Sequence, residues 1–198
     1  GRQVTTLDNA LTIGDLKTRA RRRVPKQFFD YSESGSWTEQ TFRANESDFA
    51  DVLFRQRVAV DLRDRNLAST MLGRPVSLPL AVAPAAICGL QIANGEIHAA
   101  RAAQRFGIPF SLSTMSICSI EQVADAVDAP FWFQVYVMRD KAFMEQLILR
   151  ARAAGCSALI LTMDLQILGQ RHVDIRNGMS APPRITPGFL LELMRKPA

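Results

Sequence analysis

Cysteine is scarce in this chain and spaced too widely for shared chemistry. Cys88, Cys118 and Cys156 contain no CxxC pair, which excludes a disulfide framework and a zinc knuckle and points to a reducing, cytoplasmic compartment. Histidine is scarcer still, and His98 and His172 alone do not make a His-rich metal site; no metal is expected. Long apolar runs are missing too. The stretch from Ser77 to Ile87 is too short and too broken to span a bilayer. Gly1 to Asn9 is polar with no apolar segment behind it, so no signal peptide is expected. Neither GxGxxG nor a Walker lysine motif occurs, which argues against an open sheet that binds a dinucleotide or nucleoside triphosphate. What the chain does have is 47% hydrophobic and 22% charged residues over 198 positions, enough for one large folded domain or two small ones.

The net charge of +5 is uneven. Lys17, Arg19, Arg21, Arg22, Arg23 and Lys26 crowd one stretch with only Asp15 beside them. A solvated helix face accounts for them most simply, and contact with anionic lipid is the other reading. No aromatic residue interleaves with these charges before Phe28, and no nucleic-acid motif is present, so no nucleic-acid partner is expected.

Residues 1–78 are polar and irregular, and they form the first predicted domain, a helical segment with short strands. The pattern predicts helices over 13–23 and 26–31, a further turn or two over 41–54, and short strands at 58–61 and 69–72, with a turn at Gly73-Arg74-Pro75. From residue 79 onward the pattern is regular. Apolar runs begin at Leu80, Phe110, Phe131 and Ala158, with helical stretches between them. Asn94 is placed to cap a helix ending at Gly107, Ser119 with Gln122 forms a capping box, and Asp140 is placed to cap a helix closed by Gly155. Strand and helix alternating in this way predict crossover units and a parallel sheet buried on both faces. The last stretch, Leu165 to Ala198, reads as loop plus a short helix over 188–194.

The strand ends carry the candidate chemistry. Side chains two residues apart share a face of a strand. Ser111 with Ser113, Gln134 with Tyr136, and Thr162 with Asp164 therefore form same-face polar pairs, each near the C-terminal end of its strand. A polar floor at that edge is where parallel α/β proteins place ligands. With no glycine fingerprint, a barrel is favoured over an open sheet. Four strand–helix units make half of an eight-stranded barrel, and a half-barrel leaves strand edges unpaired. The chain is therefore expected to be the front part of a longer protein, or one piece of a nicked one.

Six motifs then give a resemblance: Phe29-Asp30-Tyr31 with Ser34-Gly35, Ala83-Pro84-Ala85-Ala86, Leu112-Ser113-Thr114, Trp132 to Val137, Leu161-Thr162-Met163-Asp164, and Gly169-Gln170-Arg171. In order and spacing, from about Leu11 on, they resemble the FMN-dependent α-hydroxy-acid oxidases and dehydrogenases. The stretches 113–119 and 164–171 are most similar to the bacterial L-lactate dehydrogenase branch. The resemblance implies an α/β fold, the first half of an eight-stranded TIM barrel preceded by a helical segment, with FMN at the C-terminal mouth. It implies that backbone at Pro84, Ala85 and Ala86 lines the flavin and that Ser113, Gln134 and Thr162 hydrogen-bond it. It implies that Tyr31 and Tyr136 face the substrate, that Arg171 holds the substrate carboxylate, and that Asp164 supports a catalytic histidine. The implied reaction is oxidation of a small, lactate-like L-2-hydroxy acid to the 2-oxo acid, with oxygen or a quinone or cytochrome as acceptor. The implied partners are the hydroxy acid, the C-terminal half of the barrel and further copies in a tetramer, with peripheral contact at the inner face of the cell membrane as an added expectation.

Two features depart from that family. Its Ser-Asn-His-Gly-Gly-Arg motif and the flavin-binding lysine of its fifth strand are not in this sequence. This leaves a non-catalytic half-barrel as the alternative function. His98 shares a helix face with Arg101 and Arg105, and His172 reads as a loop residue, so neither replaces the histidine. In addition, Ala85-Ala86 stands where the dehydrogenase branch has Thr-Gly or Val-Gly, and alanine beside the flavin is the oxidase pattern.

Overall fold

Thr12 starts the first helix. Its hydroxyl accepts from the Asp15 N–H while the Asp15 carboxylate accepts from the Thr12 N–H, a reciprocal cap that fixes α1 over Ile13–Arg23. The computed structural model describes residues 9–163, 167, 169–179 and 187–196. These fall into two compact units, residues 1–57 with 167–198, and residues 58–166.

In the first unit, α1 ends where Pro25 intervenes, and α2 (Lys26–Ser32) and α3 (Gln40–Ser47) follow, the latter running into a tight turn at Asp48–Asp51. All three match the predicted helices. The basic stretch is less isolated than its sequence context implies. Lys17 pairs with Glu33 and Lys26 with Asp30, partners that the fold supplies from α2 and its end. A short helix, α7 (His172–Arg176), lies in the stretch expected to be loop, and α2 packs against it. His172 therefore opens a helix, its ring edge-on to Trp37 at 5.9 Å. The last helix, α8 (Pro187–Arg195), brings Lys196 back so that its ammonium donates to the carbonyls of Arg21 and Val24.

The second unit opens with a hairpin of β1 (Ser69–Met71) and β2 (Arg74–Val76). The expected turn moves by one residue. Leu72 and Gly73 both take positive φ, 48° and 74°, the geometry of a two-residue turn that matches strand twist, so Arg74 and Pro75 belong to the strand. The strand expected at 58–61 does not form. Ala59 adopts φ 57°, Val58 is 84% exposed, and among the described residues no strand pairs with it.

The rest is strand and helix in alternation: α4 (Gly95–Phe106), β3 (Ser111–Leu112), α5 (Ile120–Ala124), β4 (Trp132–Tyr136), α6 (Lys141–Ala153) and β5 (Ala158–Thr162). The strands are parallel in the order β3-β4-β5, with Ser111 against Trp132 and Tyr136 against Thr162. The run starting at Leu80 contributes a single parallel bridge, Val82 to Phe110, rather than a full strand. Pro79 and Pro84 lack the N–H groups a ladder needs, so only Val82 donates and accepts. The core lies between sheet and helices, where Leu112, Phe133 and Val135 pack against Ala100, Ala103, Val123, Leu147 and Ala151. Gly107 and Gly155 close α4 and α6 at φ 70° and 77°, and Ser119 and Asp140 cap α5 and α6 as expected. Asn94 does not behave as a cap. It sits at φ 56° and its side chain makes no bond to the helix start.

This architecture, a helical lead-in and the first parallel strand–helix units, is the first half of a TIM barrel, as the sequence implies.

Candidate active site

Within the second unit, three strand ends meet through one amide. Gln134 is 2% exposed near the end of β4. Its Oε1 accepts from the Ser113 hydroxyl at 3.2 Å and from the Thr114 N–H at 3.1 Å. Its Nε2 donates to the Thr162 hydroxyl at 2.7 Å. The Thr114 hydroxyl donates to the Gln134 carbonyl, and the Met115 N–H donates to the Ser113 hydroxyl at 3.1 Å. The parity argument thus leads to real neighbours: Ser113, Gln134 and Thr162 form a row across β3, β4 and β5. Tyr136 is half-buried two residues on, in register with Thr162. Thr114 belongs to the same network and was not singled out from the sequence. Its place directly after the Ser111–Ser113 pair is the signal that it shares the strand end.

The row is neutral and well satisfied. An amide buried in this way must keep its partners, because each buried polar group left unpaired costs about 1–3 kcal/mol. Gln134 therefore locks three strand ends in register through uncharged hydroxyl and amide groups alone.

Pro84, Ala85 and Ala86 form the loop after Val82. Pro84 and Ala86 are half-buried and Ala85 is exposed. The loop is tied to the next one by the Ile87 N–H, which donates to the Met115 carbonyl at 3.0 Å, with Ile87 held at φ 50°.

Within the first unit, motifs far apart in sequence converge on Arg171. Its guanidinium lies 4.7 Å from the Tyr31 ring centroid, donates from Nη2 to the Tyr31 carbonyl and to the Ser34 hydroxyl at 3.3 Å, and donates from Nε to Asp174. Asp174 is buried, and the Ser34 hydroxyl reaches its other oxygen at 3.5 Å. Gly169 permits the approach, since a Cβ there would lie 2.5 Å from the Ser36 hydroxyl, and the Trp37 N–H donates to the Gln170 carbonyl at 2.9 Å. A planar cation stacked on a phenol ring and held by a carboxylate is oriented, not merely present. Asp174 and Ser34 were not singled out as site residues. For Asp174 the signal is its place three residues after Arg171, which becomes meaningful only once α7 is known to be helical. Asp164 lies outside the described residues. His98 is exposed, as its helix face predicts.

Among the described residues there is no cluster of three or more His, Cys, Asp or Glu able to hold a metal ion, and no helix long and apolar enough to cross a membrane.

Comparison with known proteins shows the family. The model of the FMN-dependent dehydrogenase family matches residues 20–198. The chain is 44% identical over 182 residues to the L-lactate dehydrogenase of Haemophilus influenzae strain PittEE, covering 90% of this chain and 48% of that protein. Among solved structures, the monotopic membrane protein (S)-mandelate dehydrogenase superposes with a TM-score of 0.89 at 32% identity, over 96% of this chain and 50% of that one. A mandelate oxidase superposes with a TM-score of 0.81 at 35% identity, over 91% and 51%. The chain spans about half the length of the relatives it matches.

Proposed function

Because this chain belongs to the FMN-dependent dehydrogenase family, we propose that it forms the flavin-side half of an enzyme that oxidises a small L-2-hydroxy acid, lactate-like, to the 2-oxo acid. The observation that carries the reading is the buried Ser113–Gln134–Thr162 row across three parallel strand ends. The identity to an L-lactate dehydrogenase supports the choice of substrate.

The donor set fits the cofactor of the family. A flavin ring is flat and offers a neutral edge of N–H and C=O groups, and the row offers uncharged hydroxyls and an amide, without a charged side chain among them. In this reading Ser113, Gln134 and Thr162 hold that edge, and the backbone of Pro84, Ala85 and Ala86 lines the ring. When bound, FMN supplies the two-electron acceptor. Arg171 grips the substrate carboxylate with its guanidinium and so fixes the α-carbon, while the face of Tyr31 steadies the cation. Tyr136 hydrogen-bonds the reacting oxygen. Asp164 orients the imidazole that receives the hydroxyl proton and stabilises its protonated form, the imidazole coming from the second half of the barrel. In this reading residues 1–78 form the lead-in and residues 79–198 the barrel units.

Oxygen is the acceptor we favour over quinone or cytochrome, because Ala86 places a methyl group at the loop position beside the ring. Assembly into a tetramer and peripheral contact of α1 with an anionic membrane surface at the cytoplasmic face complete the proposal; Arg21, Arg22 and Arg23 are exposed on that helix.

The test is to purify the chain together with its second barrel half, weigh everything present by intact mass, and record the visible spectrum. The expected outcome is a yellow protein whose flavin absorbance bleaches on anaerobic addition of L-lactate and returns promptly in air. A colourless full-length protein defeats the flavin reading. A reduced flavin that persists for minutes in air yet reoxidises with a quinone analogue defeats only the choice of oxygen.

A further inference from the structure

The start of α4 is built around a buried carboxylate that no step above uses. Glu96 is 2% exposed in the first turn of the helix. Its Oε1 accepts from two backbone N–H groups on different loops, Gly89 at 3.2 Å and Ile117 at 3.0 Å. Gly89 lies in the loop that carries Pro84, Ala85 and Ala86, and Ile117 in the loop that continues from Ser113. The first loop runs close against the Ile117 side chain and against the start of α4, which leaves no room for a side chain on Gly89 or Gly95. A Cβ on Gly89 would lie 2.6 Å from the Ile117 Cβ, and one on Gly95 would lie 2.8 Å from the Cys88 carbonyl oxygen. The Ile87-to-Met115 backbone bond is the third tie between them.

Resting on the flavin reading of this strand edge, we propose that Glu96 is a positioning residue for the cofactor site. Its carboxylate splices the loop expected to line the ring to the loop carrying the Ser113 hydroxyl, and so sets the spacing between them. The chemistry suits a carboxylate. Two N–H dipoles converging on one oxygen favour a full negative charge, and the amino end of α4 adds its own dipole. Burial alone would push the Glu96 carboxyl up, but the N–H of Ile117, its own N–H, the Cys118 thiol and the N–H of Gly89 outweigh it and hold the group below its ordinary value, in its charged form.

The experiment uses the chain with its second barrel half, stripped of flavin and titrated with FMN by fluorescence quenching. Glu96→Gln keeps the size and one acceptor but removes the charge. The expected result is a far-UV circular dichroism spectrum like the parent's, an FMN dissociation constant raised about tenfold or more (a loss of about 1.4 kcal/mol), and altered visible circular dichroism of the flavin that does bind. An unchanged dissociation constant with an unchanged visible spectrum overturns the proposal. If the variant does not fold, hydrogen exchange on the parent decides. Protection of the Gly89 and Ile117 amides that rises together on adding FMN supports the splice, and amides that exchange independently, or as fast as open loop, overturn it. A parent that folds but binds no FMN defeats the flavin reading instead, and joint protection of the two amides in that protein would still separate an intact splice from an absent one.

Discussion

Arg171 is the residue whose chemistry depends most on shape. Lysine would keep the positive charge, but it would lose the fork that reaches Asp174, Ser34 and the Tyr31 carbonyl at once, and it would lose the stacking on Tyr31. Arg171→Lys is expected to raise KM for the hydroxy acid and to lower kcat/KM by about 2–4 kcal/mol in transition-state terms, the range for truncating one partner of a buried charged hydrogen bond. Steady-state kinetics with L-lactate check this, and unchanged kinetics would remove Arg171 from the site. Arg171 and Tyr31 were legible only by family resemblance, because nothing local in the sequence joins residues 31 and 171. The strand-end row was legible from parity alone, since alternation along a strand is a local rule.

At the scale of elements, caps and glycines did most of the writing. Ser119, Asp140, Gly107 and Gly155 set helix limits that the structure reproduces, because each acts through bonds within three or four residues. Strands were less legible, because a strand exists only where a partner is available: the Val58 run has none among the described residues, and the Leu80 run is restricted by prolines to one bridge. Between helices, Arg150 of α6 holds Glu121 of α5 with two bonds of 2.8 and 2.7 Å. The Arg150 guanidinium lowers the Glu121 carboxyl from 4.5 to about 2. A depressed carboxylate stabilises the fold above its unfolded value, so this contribution is full above about pH 4.5 and is lost as pH falls toward about 2. Both side chains are about half exposed, so the pair is worth no more than about 1 kcal/mol. Glu121→Gln should therefore lower stability slightly at pH 7 and flatten its fall between pH 4.5 and 2, as read from urea midpoints at each pH.

The whole molecule is defined by an edge. Among the described residues no strand pairs with the far side of β5, and Leu159 and Leu161 along it are 47% and 52% exposed, with Met163 beyond at 77%. An apolar strand with free N–H and C=O groups pairs with whatever is offered. Produced alone, the chain is expected to bind an apolar dye such as ANS and to self-associate, and mixing it with the second barrel half should abolish the dye signal. Dye binding that the second half leaves unchanged would show that this edge is not where the barrel continues.

The sequence by itself determined the alternation of strand and helix, the helix limits set by Ser119, Asp140, Gly107 and Gly155, and the polar parity of the strand ends, because all of these arise from contacts a few residues apart. Only the tertiary structure decided which polar residues touch. It joined Gln134 to Ser113 and Thr162, seated Arg171 between Tyr31 and Asp174, and ran Glu96 across two loops. Most of those pairings depend on strand register and chain crossings, as where Thr114 meets Gln134 across 20 positions and Arg171 meets Tyr31 across 140, and these leave no local trace in the order of the amino acids.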